Sequence, residues 1–155
     1  YLRAYLMHHH GGVYMDIKPM DKPWLPLLEE LNATQDMWVI APHEIGSWNS
    51  SPASGALGKD QRNYYKSIVN MSAFGCKPYS RFTDEWLTEL NRRMDYFSSL
   101  LESYGDPQAF GYMPEYPIPW LELAGRITSP LSLKYIDRIK IVKDMKFGTY
   151  PGGYR

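Results

Sequence analysis

The fold is indicated most clearly by the stretch Gly11-Gly12-Val13-Tyr14-Met15-Asp16-Ile17-Lys18. Its apolar run after the glycine pair contains β-branched and aromatic side chains and is closed by Pro19, a pattern that predicts a short buried strand. The preceding residues, Leu2 to His10, place apolar side chains at helical spacing, and a glycine is the residue at which helices commonly end. We therefore expect a helix, a tight turn at the glycines and a strand whose carboxyl end carries Asp16.

Helical and strand patterns alternate along the rest of the chain. The further predicted elements are a helix at Leu27–Leu31, strands at Met37–Ile40, Tyr64–Phe74 and Ile139–Val142, a long irregular loop at Ile45–Asp60, a long helix capped by Thr83, and a helix at Trp120–Ile127. This alternation is typical of the α/β class. A length of 155 residues with 44% hydrophobic side chains suffices for one core, so we expect residues 1–155 to form a single domain.

Charge and composition limit the classes of partner. The chain has 17 basic and 17 acidic residues, so it generates no field that would hold nucleic acid or an anionic membrane, and neither is an expected partner. No apolar run approaches the ~20 residues needed to cross a bilayer, so no membrane contact is expected within this segment. Cys76 is the single cysteine, which excludes an internal disulfide. The compartment stays open between the cytoplasm and a Golgi-type lumen, because it depends on a segment that we expect upstream of Tyr1.

Asp16 is the first candidate functional residue. A carboxylate at the end of a buried strand, beside glycines that let a ligand approach the backbone, is positioned as ligand sites are in open α/β sheets. The alternative is a strand-end carboxylate that only hydrogen-bonds a neighbouring turn. The functional interpretation is favoured, because Asp16 belongs to a larger pattern.

Three ordered blocks, which together span most of the chain, form this pattern. They are Arg3 and Leu6 with residues 11–16, then Asn70–Pro78 with Phe82 and Trp86, then Tyr116–Gly125. In that order they resemble the motifs Arg-Tyr-x-x-Leu…Gly-Gly-x-Tyr-x-Asp-x-Asp, Asn-x-hydrophobic-Ala…Pro before a helix, and Tyr-Pro-x-x-Trp-x-Glu-Leu-x-Gly. These motifs are those of the DXD sugar transferases, which include glycosyltransferase family 32 and the capsular polysaccharide synthesis proteins.

The resemblance implies a GT-A-like fold, a mixed sheet flanked by helices, here incomplete at its N-terminal side because the part that grips the nucleotide base precedes these motifs. It implies a glycosyltransferase that moves a sugar from a nucleoside-diphosphate-sugar donor to a glycan or polysaccharide hydroxyl. A divalent cation, Mn²⁺ or Mg²⁺, then bridges the motif carboxylates and the donor phosphates. The implied donor-binding residues are Arg3, Gly11, Gly12, Tyr14, Asp16 and Lys18. Of these, Asp16 and Lys18 are the catalytic candidates, and Asp16 is the metal ligand. For two of the donor-binding residues an alternative stays open: Arg3 reaches the donor or pairs with a core carboxylate, and Lys18 contacts the donor phosphates or is an ordinary surface lysine.

One position departs from the motif, because Lys18 stands where the second aspartate is expected. In one interpretation Asp16 keeps the cation, and phosphate oxygens, water and Asp21 complete its ligands. In the other, the Lys18 ammonium does the work of the cation, since a fixed positive charge also stabilises a leaving diphosphate. The sequence leaves both open. We expect a retained but weaker metal site, because Asp16 would otherwise face phosphates without compensation.

Five further residues are candidates for contact with the acceptor or the sugar, namely His43, Glu44, Asn70, Ser72 and Trp120. His43 and Glu44 follow a predicted strand, so either acts as a base or an acceptor contact, or they merely open a polar loop. Asn70 and Ser72 face the sugar or form the polar face of a strand. Trp120 stacks on a sugar ring or packs beside a proline-rich turn.

Two other classes of function remain alternatives. A non-catalytic nucleotide-sugar or carbohydrate binding protein derived from such an enzyme would bind its ligand without turning it over. A metal-dependent phosphohydrolase would also use a strand-end aspartate, but the sequence lacks a second carboxylate cluster at convincing spacing.

Overall fold

The computed structural model describes residues 1–104, 117–119, 121–143 and 145. Its helices are α1 Leu2–His9, α2 Leu25–Ala33, α3 Gly55–Asn63, α4 Arg81–Tyr104 and α5 Gly125–Lys134. Its strands are β1 Gly12–Met15, β2 Val39–Ala41, β3 Ala73–Cys76 and β4 Ile139–Ile141, with short 3₁₀ turns at Tyr65–Ser67 and Ile136–Arg138. None of the described helices combines the length with the apolar character that a bilayer crossing requires.

The four strands form one mixed sheet in the order β1-β3-β2-β4. Strand β3 pairs antiparallel with both β1 and β2, whereas β4 runs parallel to β2. The predicted α/β class is confirmed as a four-strand mixed sheet flanked by helices. The strands predicted at residues 37–40 and 139–142 are present as β2 and β4, with ends that differ by one or two residues.

The main hydrophobic core lies between one face of the sheet and helices α1, α4 and α5. Phe74 of β3 packs against Trp86 of α4, with ring centroids 5.8 Å apart. Val39 and Ala41 of β2 face the same core, while Ile40 between them points to the opposite face because side chains alternate along a strand. Helix α2 contacts β2 and β3 and covers that opposite face.

The junction of α1 and β1 positions the edge strand. Gly11 and Gly12 have φ angles of +62° and +89°, which a glycine adopts without the strain that a side chain would cause. A Cβ atom at Gly11 would lie 2.7 Å from the carbonyl oxygen of Cys76 and 2.6 Å from Cδ of Pro78, so the turn passes close to the end of β3. The predicted helix, glycine turn and strand are present, and Asp16 follows directly after β1. The predicted burial of this strand is wrong, because β1 lies at the edge of the sheet and is only partly buried, and Ile17 lies beyond it and is exposed.

Two predictions for the middle of the chain are wrong. Residues 64–74 do not form one strand, because the chain bends at Asn70, which accepts hydrogen bonds from the N–H groups of Ser72 and Ala73 before β3 begins. The irregular loop predicted at residues 45–60 contains the start of α3, whose buried Gln61 accepts a hydrogen bond from the chain leading into it. In both places an amide side chain pairs with backbone, and residue composition does not reveal such pairing.

Two helix ends also differ from prediction. Ser80, not Thr83, caps α4, because the Ser80 Oγ accepts a hydrogen bond from the Thr83 N–H at 3.3 Å. The last predicted helix is α5, which begins at Gly125 and continues through Pro130, well beyond its predicted end. Leu131 packs in the core that α5 shares with α4, so this burial offsets the backbone hydrogen bond that the proline lacks.

Candidate functional site

The end of strand β1 is fixed against the bend that precedes β3. The Asp16 N–H donates to the carbonyl oxygen of Ser72 at 2.7 Å, which extends the pairing of β1 with β3 beyond Met15. The Lys18 N–H then donates to the Asp16 carbonyl oxygen at 2.7 Å, so the backbone turns tightly after the strand. This turn brings the Asp16 and Lys18 side chains into contact.

Five side chains meet at this point and are named here the Asp16 cluster: Arg3, Tyr14, Asp16, Lys18 and Ser72. The Lys18 Nζ lies 3.1 Å from Asp16 Oδ2 and 3.4 Å from Ser72 Oγ. The Tyr14 hydroxyl donates to the other carboxylate oxygen, Asp16 Oδ1, at 2.9 Å. Arg3 Nη2 donates to the Tyr14 hydroxyl at 2.5 Å and lies 3.8 Å from Asp16 Oδ1. Four of the six predicted donor-binding residues are therefore brought together.

The electrostatics of the cluster keep Asp16 ionised. Burial by itself raises the pKa of Asp16, but hydrogen bonds from Lys18 and Tyr14 and the charge of Lys18 outweigh burial and hold that pKa below its usual value. Burial and the hydrogen bond to Asp16 raise the pKa of Tyr14, so its hydroxyl remains a donor. At neutral pH the cluster thus contains two cationic side chains and one carboxylate.

Arg3 also connects the cluster to the bend. Its Nη1 donates to the carbonyl oxygen of Met71 at 2.8 Å, and its guanidinium carbon lies 3.8 Å from the centre of the Tyr14 ring. Together with the ion pair to Asp16, these contacts hold the planar group in one orientation. The side chain is nevertheless 31% exposed, so the guanidinium is fixed in place and still open to solvent.

The residues around Asp16 fit a divalent cation poorly. Mg²⁺ requires near-octahedral oxygen ligands at about 2.0–2.1 Å. Both Asp16 oxygens already contact donors, and the described residues contain no group of three or more His, Cys, Asp or Glu side chains that could hold a metal ion. A cation on Asp16 would also lie near the Lys18 ammonium, and a divalent cation and a unit charge 4 Å apart repel by about 8 kcal/mol at an effective dielectric constant of about 20. The geometry favours the ammonium, and the Mn²⁺ or Mg²⁺ site stays a prediction.

Gly11 and Gly12 lie away from the Asp16 cluster. They precede β1 or begin it, whereas Asp16 follows its last residue, so Gly12 and Asp16 are about 13 Å apart at a rise of roughly 3.3 Å per residue. Gly11 is closely packed, while at Gly12 no atom of the other described residues, its chain neighbours apart, lies within 4 Å of the position that a Cβ atom would occupy. The two glycines therefore have a structural role in the turn, and their contact with a donor stays a prediction.

Asn70 shapes the bend that carries Ser72. Its Oδ1 accepts a hydrogen bond from the Ser72 N–H at 2.9 Å, and its Nδ2 donates to the carbonyl oxygen of His43 at 3.4 Å. Asn70 is buried, so its amide group acts on the backbone. The Ser72 side chain instead meets Lys18. Contact of either residue with a sugar stays a prediction.

Glu44 is a buried carboxyl group next to the same bend. Its exposed fraction is 8%. Burial raises the pKa of Glu44 to about 7, although hydrogen bonds from the backbone N–H groups of Ile45 and Met71 act in the opposite direction. Near neutral pH this group both holds and releases a proton, as a general acid or base must.

Met71 joins Glu44 to the Asp16 cluster. Its N–H donates to the Glu44 carboxyl group, and its carbonyl oxygen accepts the hydrogen bond from Arg3. The sequence interpretation missed this connection. No pattern of side chains could indicate it, because both contacts use the main chain of a buried methionine.

His43 and Trp120 are the remaining candidates. The His43 Nδ1–H donates to the carbonyl oxygen of Glu44 at 2.6 Å, and His43 forms an antiparallel bridge with Val69. The imidazole is thus held at the same bend as Glu44. Trp120 lies outside the described residues, so its predicted sugar contact is not placed.

Two shallow clefts lie along α4 and α5. One has a volume of about 290 Å³ and the other about 240 Å³, and both are lined by Arg93. Arg93 forms ion pairs with Glu89 and Glu122, each at 2.7 Å, so its charge is already compensated. No residue of the Asp16 cluster lines either cleft.

Comparisons with known proteins assign no family to this chain. No protein-family model, curated protein or solved structure matches it. The function is therefore inferred from the geometry of the site and from the three sequence blocks.

Proposed function

We propose that this chain is part of a GT-A-like glycosyltransferase that moves a sugar from a nucleoside-diphosphate-sugar donor to a hydroxyl of a glycan or polysaccharide. The observation that carries the proposal is the Asp16 cluster, a fixed set of charges at the carboxyl end of an edge strand. Ligands of open α/β sheets bind at the carboxyl ends of strands. The resemblance to DXD sugar transferases supports the proposal, because the first block supplies Arg3, Tyr14 and Asp16 and the second supplies Ser72.

Lys18 and Arg3 are the groups that would stabilise a leaving diphosphate. When the bond between the sugar and the phosphate oxygen breaks, negative charge grows on the phosphate, and cations already in position lower the energy of that state. Contacts with Asp16 and Ser72 hold the Lys18 ammonium, and Tyr14 holds Arg3, so neither cation has to reorganise. In this proposal Asp16 positions Lys18.

Glu44 is, by its proton affinity, the acceptor-side candidate best suited to take a proton from an attacking hydroxyl. A buried carboxyl group with a pKa of about 7 is a stronger base than an ordinary carboxylate, and it is still ionised in part of the molecules at neutral pH. His43, Asn70 and Ser72 lie around the same bend and belong to the proposed acceptor side. Trp120 is assigned to the proposed acceptor side from the sequence pattern alone.

The test is turnover of UDP-, GDP- and dTDP-sugars by the full-length protein, with and without glycan acceptors. Asp16→Asn should lower turnover by about 100-fold or more, because the charge that positions Lys18 is lost. Asp95→Asn is the matched control, since Asp95 is exposed on α4 and its substitution removes the same charge. Circular dichroism and the melting temperature of each variant establish that it is folded.

Near-normal turnover by folded Asp16→Asn protein would remove Asp16 from the mechanism. Cleavage of the diphosphate bond by water, which gives a nucleoside monophosphate and a sugar phosphate with no sugar transferred to any acceptor, would instead support the phosphohydrolase alternative. Mn²⁺ and EDTA are compared in the same assay, and loss of turnover in EDTA would support the predicted metal site.

A non-catalytic nucleotide-sugar or carbohydrate binding protein is the second candidate. The observation that favours it is the direct contact of Lys18 with Asp16, since this lysine stands in place of the second motif aspartate. Binding of nucleotide sugars without turnover, in Mn²⁺ and in EDTA, would support this candidate over the transferase.

A further inference from the structure

We infer that the Asp16 cluster binds a diphosphate group directly, without a divalent cation, through the Lys18 ammonium and the Arg3 guanidinium. The inference rests on the proposed function, because it concerns the diphosphate of the same donor. It goes beyond the proposed function, because the Lys18 and Arg3 side chains take the place of the divalent cation that the resemblance implies.

Lys18 lies on one side from which a cation would reach Asp16. Its Nζ lies 3.1 Å from Asp16 Oδ2, and a metal ion that approached this oxygen from the same side, at about 2.0–2.2 Å, would be in contact with the ammonium. Ser72 holds the same Nζ at 3.4 Å, and the lysine side chain is only 12% exposed. Admitting a cation on this side would therefore require Lys18 to leave Asp16 and Ser72.

Within the five side chains of the Asp16 cluster, Lys18 and Arg3 carry two positive charges and Asp16 carries one negative charge. The chain as a whole has 17 basic and 17 acidic residues, so a site for an anion must be local. A local positive charge suits one small anionic group better than an extended polyanion.

The two cations also suit phosphate oxygens in their geometry. Arginine presents a planar set of N–H donors, and lysine presents a compact charge, and both are common partners of phosphate. One side of the Arg3 guanidinium lies against the Tyr14 ring at 3.8 Å, and the group is partly open to solvent. A phosphate oxygen can therefore approach Arg3 while the ring and the Met71 carbonyl oxygen keep it in place.

The experiment titrates inorganic pyrophosphate into the full chain by isothermal calorimetry, in low-salt buffer that contains EDTA. The wild-type protein should bind. Lys18→Met keeps the length of the side chain without its charge and should weaken binding by about 10- to 100-fold. Lys18→Arg should restore binding to within a few-fold. Lys22→Met, at an exposed lysine four residues along, is the matched control and should bind as the wild type does.

The inference is overturned if wild-type protein binds pyrophosphate only when Mn²⁺ or Mg²⁺ is present, or if folded Lys18→Met binds as tightly as wild type in EDTA. A second measurement needs no variant: Mn²⁺ is titrated into the protein alone and followed by electron paramagnetic resonance. No saturable binding is expected. One tightly bound Mn²⁺ per chain would overturn the inference even if Lys18→Met did not fold.

The two proposals fail in different ways. If sugar transfer occurs but disappears in EDTA, the glycosyltransferase proposal stands and direct diphosphate binding is refuted. If the protein binds pyrophosphate in EDTA through Lys18 but transfers no sugar, the anion site stands and the glycosyltransferase proposal is refuted.

Discussion

Glu44→Gln should remove a pH dependence of stability that the buried carboxyl group imposes on the protein. The exposed fraction of Glu44 is 8%, and burial raises its pKa from the ordinary value of 4.5 to about 7. The folded protein therefore holds the Glu44 proton more tightly than the unfolded chain does. Between these two pKa values unfolding releases a proton, so the free energy of unfolding falls as the pH rises.

The magnitude follows from the two pKa values. They differ by about 2.5, and at about 1.36 kcal/mol for each pH unit the full loss of unfolding free energy is about 3 kcal/mol, complete above pH 7. Most of this loss, about 2–3 kcal/mol, falls between pH 5 and pH 8. This is a large part of the roughly 5–15 kcal/mol that separates folded from unfolded states in most domains.

The assay is urea unfolding of the wild type and Glu44→Gln at pH 5 and pH 8. Glutamine does not titrate, so the unfolding free energy of the variant should fall by about 2–3 kcal/mol less than that of the wild type over this interval. Glu29→Gln, at an exposed position on α2, controls for the change in net charge. Equal pH dependence in wild type and Glu44→Gln would refute the reasoning, because Glu44 would then keep the same proton affinity in the folded and unfolded chains.

Two further predictions concern the frame that positions the site. Gly11→Ala should lower the free energy of unfolding by about 2–5 kcal/mol, for two reasons. Alanine is strained at a positive φ angle, and its Cβ atom would lie only 2.7 Å from the Cys76 carbonyl oxygen. Gly12→Ala has the strained angle without the contact and should cost only about 1–2 kcal/mol, so equal losses in urea unfolding would contradict the structure. Ser80→Ala should lower the free energy of unfolding by about 1 kcal/mol, because α4 loses its cap. Thr88→Ala, at an exposed position within the same helix, is the control and should lower it clearly less in the same measurement.

The sequence was sufficient for the parts of the fold that local patterns specify. The glycine turn follows from residues 11 and 12, and the strands near residues 37–40 and 139–142 follow from short apolar runs. The bend at Asn70 and helix α3 were not predictable in this way, because their side-chain amides bond to backbone groups that are brought near by the fold. The cap of α4 was assigned wrongly to Thr83, although Ser80 performs that role through a local hydrogen bond to the Thr83 N–H.

The candidate site likewise has features that local sequence predicts and features that exist only in the tertiary structure. The motif itself predicted that Arg3, Tyr14, Asp16 and Lys18 belong together, because a helix, a turn and a strand only a few residues long keep them close. Two facts needed the tertiary structure: Ser72 meets Lys18 from more than fifty positions away, and the main chain of Met71 joins Arg3 to Glu44. Burial of Glu44, which raises its pKa, is likewise created by residues distant in sequence. Local spacing determines which side chains can be neighbours, whereas desolvation and main-chain contacts exist only after the chain has folded.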